Sequence, residues 1–335
     1  MSIEITTGES VDVTEWDRLV ANSPAGTPFH RHSALEVLAD HTDTDLHTLV
    51  GYKGAEPVGL FPVFEKSRGP VSTVFSPPPS LKIPYLGPVP CHLGKLKTRK
   101  RHRRHARFVE GCLDYLDETT DPRLSHFRLA PGYPDLRPFE WNDYDVTPRH
   151  TYVVDLDRDT DEIFAGFSSD ARQNVRSVED ADVEIFEGGR AVIGLLVEQV
   201  KQRHREQNLS YAPTPSFVRD LYRRLPDGVV RPYAVSLRGR VVGGMITLES
   251  EDTVYRWQGG ATPDVDLPIN DALDWHIISE AAERGRRRYD LVGANVRPLS
   301  EYKAKFATHL ETYCSLQRAT WDMAVLSRLY SEYIK

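Results

Sequence analysis

Two lysines close the run Tyr289-Asp-Leu-Val-Gly-Ala-Asn-Val-Arg-Pro-Leu-Ser-Glu-Tyr-Lys-Ala-Lys-Phe306. An ammonium group just beyond a strand end can hold a phosphate or offset the charge that develops on a carbonyl oxygen. Lys303 stands at such a place, although on an ordinary exposed helix the same side chain would simply be solvated. Lys305 lies two positions on, about 200° around a helix, so it cannot share that face and reads as a solvated lysine. Asp290, in the same run, could act as a general base or orient a water; it could equally be a structural acid paired with nearby arginines. Asn270 follows Pro268 where a helix begins, so its amide and the free backbone N–H groups could hold an anion. A plain N-cap is the other reading. Arg172 and Arg176 recur at helical spacing, suited to phosphate or carboxylate and equally ordinary as surface arginines.

The elements that would carry these groups follow from periodicity and punctuation. Residues 270–284 read as an amphipathic helix closed by Gly285, followed by a short apolar strand that stops at Gly293 and a helix beginning near Ser300. In open α/β sheets, ligands bind where strands stop in this way. Residues 170–181 predict the helix bearing Arg172 and Arg176. Upstream, 190–205 is a convincing amphipathic helix, and Thr214 followed by Pro215 marks the start of another. Residues 231–237, 241–248 and 253–257 read as three strands. The first half opens with helices capped by Thr14 and Ser33. Strands at 46–52 and 57–64 flank the turn Lys53-Gly-Ala-Glu56, and a third follows at 71–75. The proline-rich stretches 76–80 and 83–90 cannot be central strand. Residues 131–149 read as a connecting segment, 151–156 as a strand, and 160–167 as a helix with Thr160 as N-cap. Residues 313–320 read as a last strand before an amphipathic tail, 323–333.

Composition bounds the rest. With 335 residues, 40% apolar and 27% charged, the chain is an ordinary soluble protein of two domains or one large one. A net charge of −7 excludes general nucleic-acid coating, which needs a basic footprint, and DNA is not an expected partner. Residues 95–107 are locally basic, read either as a phosphate or RNA contact or as a solvated helix face; no aromatic interleaves the charges as single-strand binding would want. Cys91, Cys112 and Cys314 are few and far apart, consistent with reduced thiols. The histidines lack metal-ligand spacing, so no metal is expected. Neither a secretory leader nor an apolar run of membrane-spanning length is visible, which points to the cytoplasm with no integral membrane contact.

The two halves also repeat one order of elements. Tyr52-Lys-Gly-Ala-Glu-Pro-Val-Gly-Leu-Phe-Pro-Val-Phe64 has the shape of Leu237-Arg-Gly-Arg-Val-Val-Gly-Gly-Met-Ile-Thr-Leu248. In each half a further strand follows, then a long helix, then a short strand, Phe127-Arg-Leu129 or Tyr289-Asp-Leu291. Two copies of a mixed α/β unit fit this better than one doubly wound sheet.

Duplicated units of this order resemble the FemAB branch of the GNAT-fold acyltransferases. The stretches that carry the resemblance are Trp16-Asp with Ser23-Pro-Ala-Gly-Thr-Pro-Phe-His30, Arg137-Pro-Phe with Thr151-Tyr-Val-Val-Asp155, Ala171-Arg-Gln-Asn-Val-Arg176, Ala282-Glu-Arg-Gly-Arg-Arg-Arg-Tyr-Asp290 and Glu301-Tyr-Lys-Ala-Lys-Phe306. The last is similar to the family's Phe-Lys-x-x-Phe-Gly signature, with Tyr302 in place of its first phenylalanine and Ala307 in place of its glycine. The resemblance spans nearly the whole chain. It implies a mixed α/β fold of the α+β kind, with tandem GNAT-like domains over 1–149 and 150–335, each a mostly antiparallel mixed sheet flanked by helices.

It further implies transfer of an acyl or aminoacyl group, from acyl-CoA or aminoacyl-tRNA, to an amine of a small molecule, envelope precursor, glycan or peptide. Lys303 would be catalytic and Asp290 its companion. Arg172, Arg176, Asn270 and Tyr302 would bind substrate, and His30 and Tyr85 of the first half could line the acceptor side, although a lone histidine is more often a packing or surface residue. Single-domain GNAT enzymes cradle the coenzyme A pyrophosphate with an Arg/Gln-x-x-Gly-x-Gly/Ala loop. Here Gln258-Gly-Gly-Ala-Thr-Pro-Asp264 stands in its place with different spacing. The alternative is a binding module for an envelope glycan or peptide that kept the fold and lost the chemistry.

Overall fold

Gly51 and Gly59 face each other across the first hairpin, and the ring of Phe108 fills the space their missing side chains leave. That hairpin joins β2 (Asp45–Lys53) to β3 (Glu56–Arg68), and Phe108 belongs to the long helix α3 (Thr98–Thr120). A Cβ at Gly59 would lie 2.4 Å from the Phe108 ring, and one at Gly51 2.5 Å from it. The glycines therefore let a fully buried aromatic sit directly on the sheet. Gly59→Ala is expected to cost about 1–3 kcal/mol through overpacking. Urea denaturation measures this, and an unchanged midpoint would show that Phe108 moves aside freely.

The computed structural model describes residues 3–7, 11–179, 181–262, 265–306 and 309–323. The expected tail at 323–333 thus lies, past its first residue, outside the described residues. The chain divides into two units, Met1–Pro148 with Thr312–Lys335, and Arg149–Glu311. In the first, β1 (Glu4–Thr7) precedes α1 (Val13–Ala21), α2 (His32–Thr42), β2 and β3. Then come β4 (Val71–Ser76), β5 (Val89–Pro90), α3, β6 (Leu124–Arg128) and the single turn α4 (Arg137–Glu140). The second unit draws on β7 (Asp145–Asp155), α5 (Thr160–Ala165), α6 (Ser169–Glu179), β8 (Val183–Glu187), α7 (Gly189–Glu206) and α8 (Pro215–Arg224). It continues with β9 (Val230–Leu237), β10 (Arg240–Glu249), β11 (Thr253–Ala261), α9 (Ile269–Glu283), β12 (Arg288–Asp290) and α10 (Arg297–Lys303), and β13 (His309–Ala319) is the last strand.

Each unit holds the same arrangement. In the first the strands run β1-β2-β3-β4-β6-β13, with β5 also on β3; neighbours are antiparallel except β4 with β6. In the second they run β7-β12-β11-β10-β9-β8, antiparallel except β12 with β11. A three-strand meander, a crossover helix and a parallel strand therefore recur, as the repeat in the sequence leads one to expect. Each parallel strand is then flanked by an antiparallel one. For the first unit that strand is β13, whose Leu316 sits in the core with Phe127 and Phe139. The expectation of 150–335 as one domain is corrected here: from Thr312 the chain belongs with the first unit.

Thr214 Oγ accepts from Phe217 N at 3.2 Å, with proline at the first helical position. Where an aspartate stood just ahead, it took the cap instead. Asp12 caps α1 and Asp159 caps α5, displacing Thr14 and Thr160, because a carboxylate satisfies the first free N–H groups more strongly than a hydroxyl. Arg31, not Ser33, occupies the cap of α2. The segment 131–149 is not merely connecting, since it holds α4 and the start of β7.

Candidate active site

The second unit's core is built on apolar faces of α9 and of β9 to β12. Within it, β11 and β12 pair in parallel only over Thr253–Tyr255 and Arg288–Asp290. β11 then continues to Ala261 while β12 ends at Asp290, so the strands part just before Arg256. A buried polar cluster fills that parting. Asp274, fully buried on α9, accepts from Arg256 Nε at 2.6 Å, Tyr289 OH at 2.8 Å and Tyr302 OH at 2.7 Å. Burial, reinforced by the Asp274 carboxylate, pushes both phenols well above their usual range. Burial works against the Arg256 charge, but Asp274 together with Tyr302 and Tyr289 outweighs it, and the guanidinium is held more firmly protonated than usual.

Lys303 ends α10 beside this cluster. Its amine is nearly buried and donates to Val292 O at 2.7 Å and Gly293 O at 2.8 Å. Burial, with Arg256 adding to it, lowers its pKa to about 7, against the opposing pull of Asp274 and Asp290. Val292 has φ of 52°, a left-handed conformation that costs a β-branched residue about 1–3 kcal/mol. Asp290 and Thr151 hold that strained turn. Asp290 Oδ1 accepts from Val292 N at 2.7 Å and from Thr151 Oγ at 2.6 Å, and Thr151 Oγ accepts from Gly293 N at 3.1 Å. What Asp290 does in this geometry is shape the loop onto which Lys303 is pinned.

Lys305 corrects an expectation. α10 starts at Arg297, earlier than expected, and ends at Lys303, so Lys305 lies past the helix and the helical angle does not apply. Its amine reaches the buried Asp271 carboxylate at 2.7 Å and lies 4.8 Å from the Tyr302 ring centroid. It is not a solvated lysine. Asp271 also accepts from Asn174 of α6, tying α6, α9 and the end of α10 together.

The remaining expected residues divide. Tyr302 is in the cluster. Asn270 sits one turn edge away, but its Oδ1 accepts from Ala261 N at 2.8 Å and Pro268 is the N-cap, so its amide closes the end of β11. Arg172 donates to Ala165 O at 2.9 Å and to Phe167 O, so it caps the C-terminus of α5. Arg176 is exposed, with its guanidinium 5.6 Å from the Phe164 ring centroid. In the first unit, His30 is fully buried: Nδ1 faces Thr27 N and Oγ, and Nε2 faces Gly87 O at 3.1 Å. Burial drops its pKa to about 4. Tyr85 is buried edge-on against Tyr313, ring centroids 4.9 Å apart. Both are packing residues, and the expectation that they line an acceptor surface is corrected by their burial.

Sequence reading passed over Arg256, Asp271, Asp274 and Thr151. One signal was available: Asp271 and Asp274 lie three apart on the face of the amphipathic helix that its period buries. The glycine-bearing end of β11 is also closed by its own chain. Arg203 of α7 donates to Gly259 O at 2.8 Å and Ala261 O at 3.1 Å, while Ala261 N goes to Asn270. Among the described residues no group of three or more histidines, cysteines or carboxylates could hold a metal ion, and no helix is long and apolar enough to cross a membrane.

Residues 165–304 match the acetyltransferase (GNAT) domain family, a span that contains the whole cluster. A search of the curated proteins finds no match. Among solved structures, FemX is similar over 93% of this chain and 96% of its own, with a TM-score of 0.72 and 12% identity. L-PGS from Bacillus licheniformis aligns over 96% and 97% (TM-score 0.60, 11% identity). A tandem GNAT protein from the clavulanic acid biosynthesis pathway aligns over 95% and 98% (TM-score 0.55, 12% identity). At such identities the likeness establishes the fold, a tandem GNAT architecture of the FemAB-like kind.

Proposed function

We propose, for an acyltransferase whose residues 165–304 form a GNAT domain within a FemAB-like tandem fold, that the parting of β11 and β12 is where an acyl or aminoacyl group passes to an amine. The acceptor is an amine of a cell-envelope precursor, glycan or peptide, and the setting is cytoplasmic. Lys303 carries the reading. Its buried amine has a pKa of about 7 and is fixed by two carbonyls at a strand end. An amine acceptor is protonated near neutrality and must lose that proton before it can attack. A base poised near the working pH is best matched to this task. Neutral Lys303 has two hydrogens, which Val292 O and Gly293 O can take, and a lone pair left to accept the acceptor's proton. The freed amine then forms the new C–N bond at the donor carbonyl. The ester C–O or thioester C–S bond breaks, the proton held by Lys303 goes to the leaving oxygen or sulfur, and the second proton of the attacking nitrogen passes to solvent as the amide forms. The role of a fixed positive charge suits an amine of ordinary pKa; one lowered to about 7 suits proton transfer.

Two donors fit the fold class, acyl-CoA and aminoacyl-tRNA. They are separated by offering each with a panel of candidate amines and following consumption of the donor. Coenzyme A at 100 times its Kd would add about 2.7 kcal/mol of stability if it binds the native state alone, read as a raised melting temperature. A rise with acyl-CoA turnover assigns that donor. Turnover of charged tRNA without a rise assigns the other, and consumption of neither overturns the proposal.

A further inference from the structure

β8 ends the strand order of the second unit, paired with β9 on one side and with no strand on the other among the described residues. Arg238 N donates to Asp182 O at 3.1 Å and Gly188 N to Pro232 O at 2.8 Å, so the even-numbered residues of this antiparallel pair bond to β9. The residues between them turn their N–H and C=O groups the other way. Ile185 therefore points both of its backbone groups out of the sheet edge, where no described residue meets them.

Beside that edge, a hollow of about 470 Å³ lies between α6, β8 and α9. Val178, Ile185 and Trp275 line its apolar part, and Glu179, Glu280 and Glu283 line its rim. At 3.6 residues per turn, Glu283 stands about 120° and about 180° around α9 from Asp271 and Asp274, so the hollow lies on a different face from the Lys303 cluster. The acids divide between its two ends. Glu179 lies just ahead of β8 in the chain. At the far end Glu187 pairs with Tyr233, whose hydroxyl donates to Glu280 at 3.2 Å. Glu280 is already held by Arg284 at 3.0 Å, whereas Glu179 and Glu283 have no ion pair among the described residues.

Charge on an edge strand keeps like strands apart, and the exposed Glu184 and Glu187 of β8 serve that end. A second copy of β8 would crowd its own glutamates against these, so self-pairing is disfavoured. Repulsion of a like strand does not require unpaired acids around an apolar hollow; attraction of a basic one does.

We propose that the β8 edge takes an extended segment of a partner protein by strand addition, the segment carrying basic, apolar and basic residues at alternate positions. In this mode main-chain bonds give affinity and pockets for alternate side chains give specificity. Ile185 supplies the main-chain bonds, and the hollow takes the apolar side chain. Side chains on one face of a strand repeat about every 7 Å, which carries the flanking basic residues toward Glu179 at one end and Glu283 at the other. The segment is bound, not acylated: arginine serves this recognition as well as lysine, and no amine is needed.

The test is fluorescence anisotropy with a labelled peptide of about nine residues, the length of a strand. It is N-acetylated and C-amidated, with a leucine flanked at alternate positions by arginines and threonines elsewhere, so it has no amine to accept an acyl group. A matched peptide has glutamates in place of the arginines. The native protein is expected to bind the arginine peptide, more weakly as salt rises, and not the glutamate peptide. Ile185→Pro removes the outward N–H at an edge position that tolerates proline, and should abolish binding with the melting temperature near native; Ile185→Val keeps the N–H and should bind. Glu179→Lys/Glu283→Lys should weaken the arginine peptide by about 10-fold or more and confer binding of the glutamate peptide, a readout that stands even if the proline variant does not fold. Four results would each overturn the assignment: no binding of the arginine peptide, equal binding of both peptides, native affinity in a folded Ile185→Pro protein, or no exchange of preference on charge reversal. A dimer that Ile185→Pro dissolves would also overturn it, giving the edge to a second copy.

Discussion

Replacement of Lys303 by arginine is expected to lower kcat/KM by about 100- to 10,000-fold, the range that a positioned general base contributes. Arginine keeps a positive charge and hydrogen-bond donors for Val292 O and Gly293 O, yet it cannot give up its proton at any working pH. Were Lys303 needed only as a fixed charge, arginine would preserve much of the rate. Lys303→Met should fall equally far, since it keeps the apolar stem and loses the nitrogen. In the native enzyme kcat/KM should rise with pH through about 7 and then level, because the neutral amine is the working form. A rate that falls above pH 7, or an arginine variant near native activity, would refute the assignment.

The same amine gives a stability signature independent of any substrate. Its folded pKa of about 7 lies below the 10.5 of an unperturbed lysine. Between those values the unfolded chain binds the proton and the folded chain does not, so stability rises with pH across that window. The contribution is on the order of a few kcal/mol at about 1.4 kcal/mol per unit. Lys303→Met should flatten that part of the curve.

How far this site could be read from the sequence depends on what kind of group each residue answers to. Lys303 was legible because a lysine at a strand–loop–helix junction within a family-like run is unusual in type and place. Its partners were not, since they are backbone carbonyls of a turn whose left-handed Val292 no propensity favours. Asp274 was lost in a helix that otherwise reads as core. Arg172 looked like a phosphate ligand because spacing cannot show that the carbonyls ending α5 lie within its reach. His30 and Tyr85 failed for the opposite reason: a polar atom does not reveal whether its partners are solvent or the chain's own backbone. At the level of the fold, hairpins and crossover helices were visible because each is local. The docking of β13 on β6 joins residues nearly two hundred positions apart, and nothing in either strand's alternation names its neighbour.

The buried carboxylate at the centre of the cluster should then matter twice. Asp274→Ala leaves Arg256 charged, largely buried and without its 2.6 Å partner, and deprives the buried Tyr289 and half-buried Tyr302 phenols of their acceptor. Breaking one side of a buried pair in this way costs about 3–5 kcal/mol. Removing both charges together, as Arg256→Met/Asp274→Leu, should recover much of that loss, because the penalty comes from the stranded charge more than from the missing attraction. Denaturant unfolding of the single and double variants measures this; a single variant losing under about 1 kcal/mol, or a double variant no better than the single, would show the cluster to be solvated. The second consequence falls on Lys303. Arg256 lowers its pKa while Asp274 and Asp290 raise it, so deleting Asp274 alone leaves the lowering influence opposed by Asp290 only. The rise of kcat/KM with pH in a folded Asp274→Asn enzyme should move to lower pH. A shift upward would place the ionisation on another group and separate the proton acceptor from Lys303.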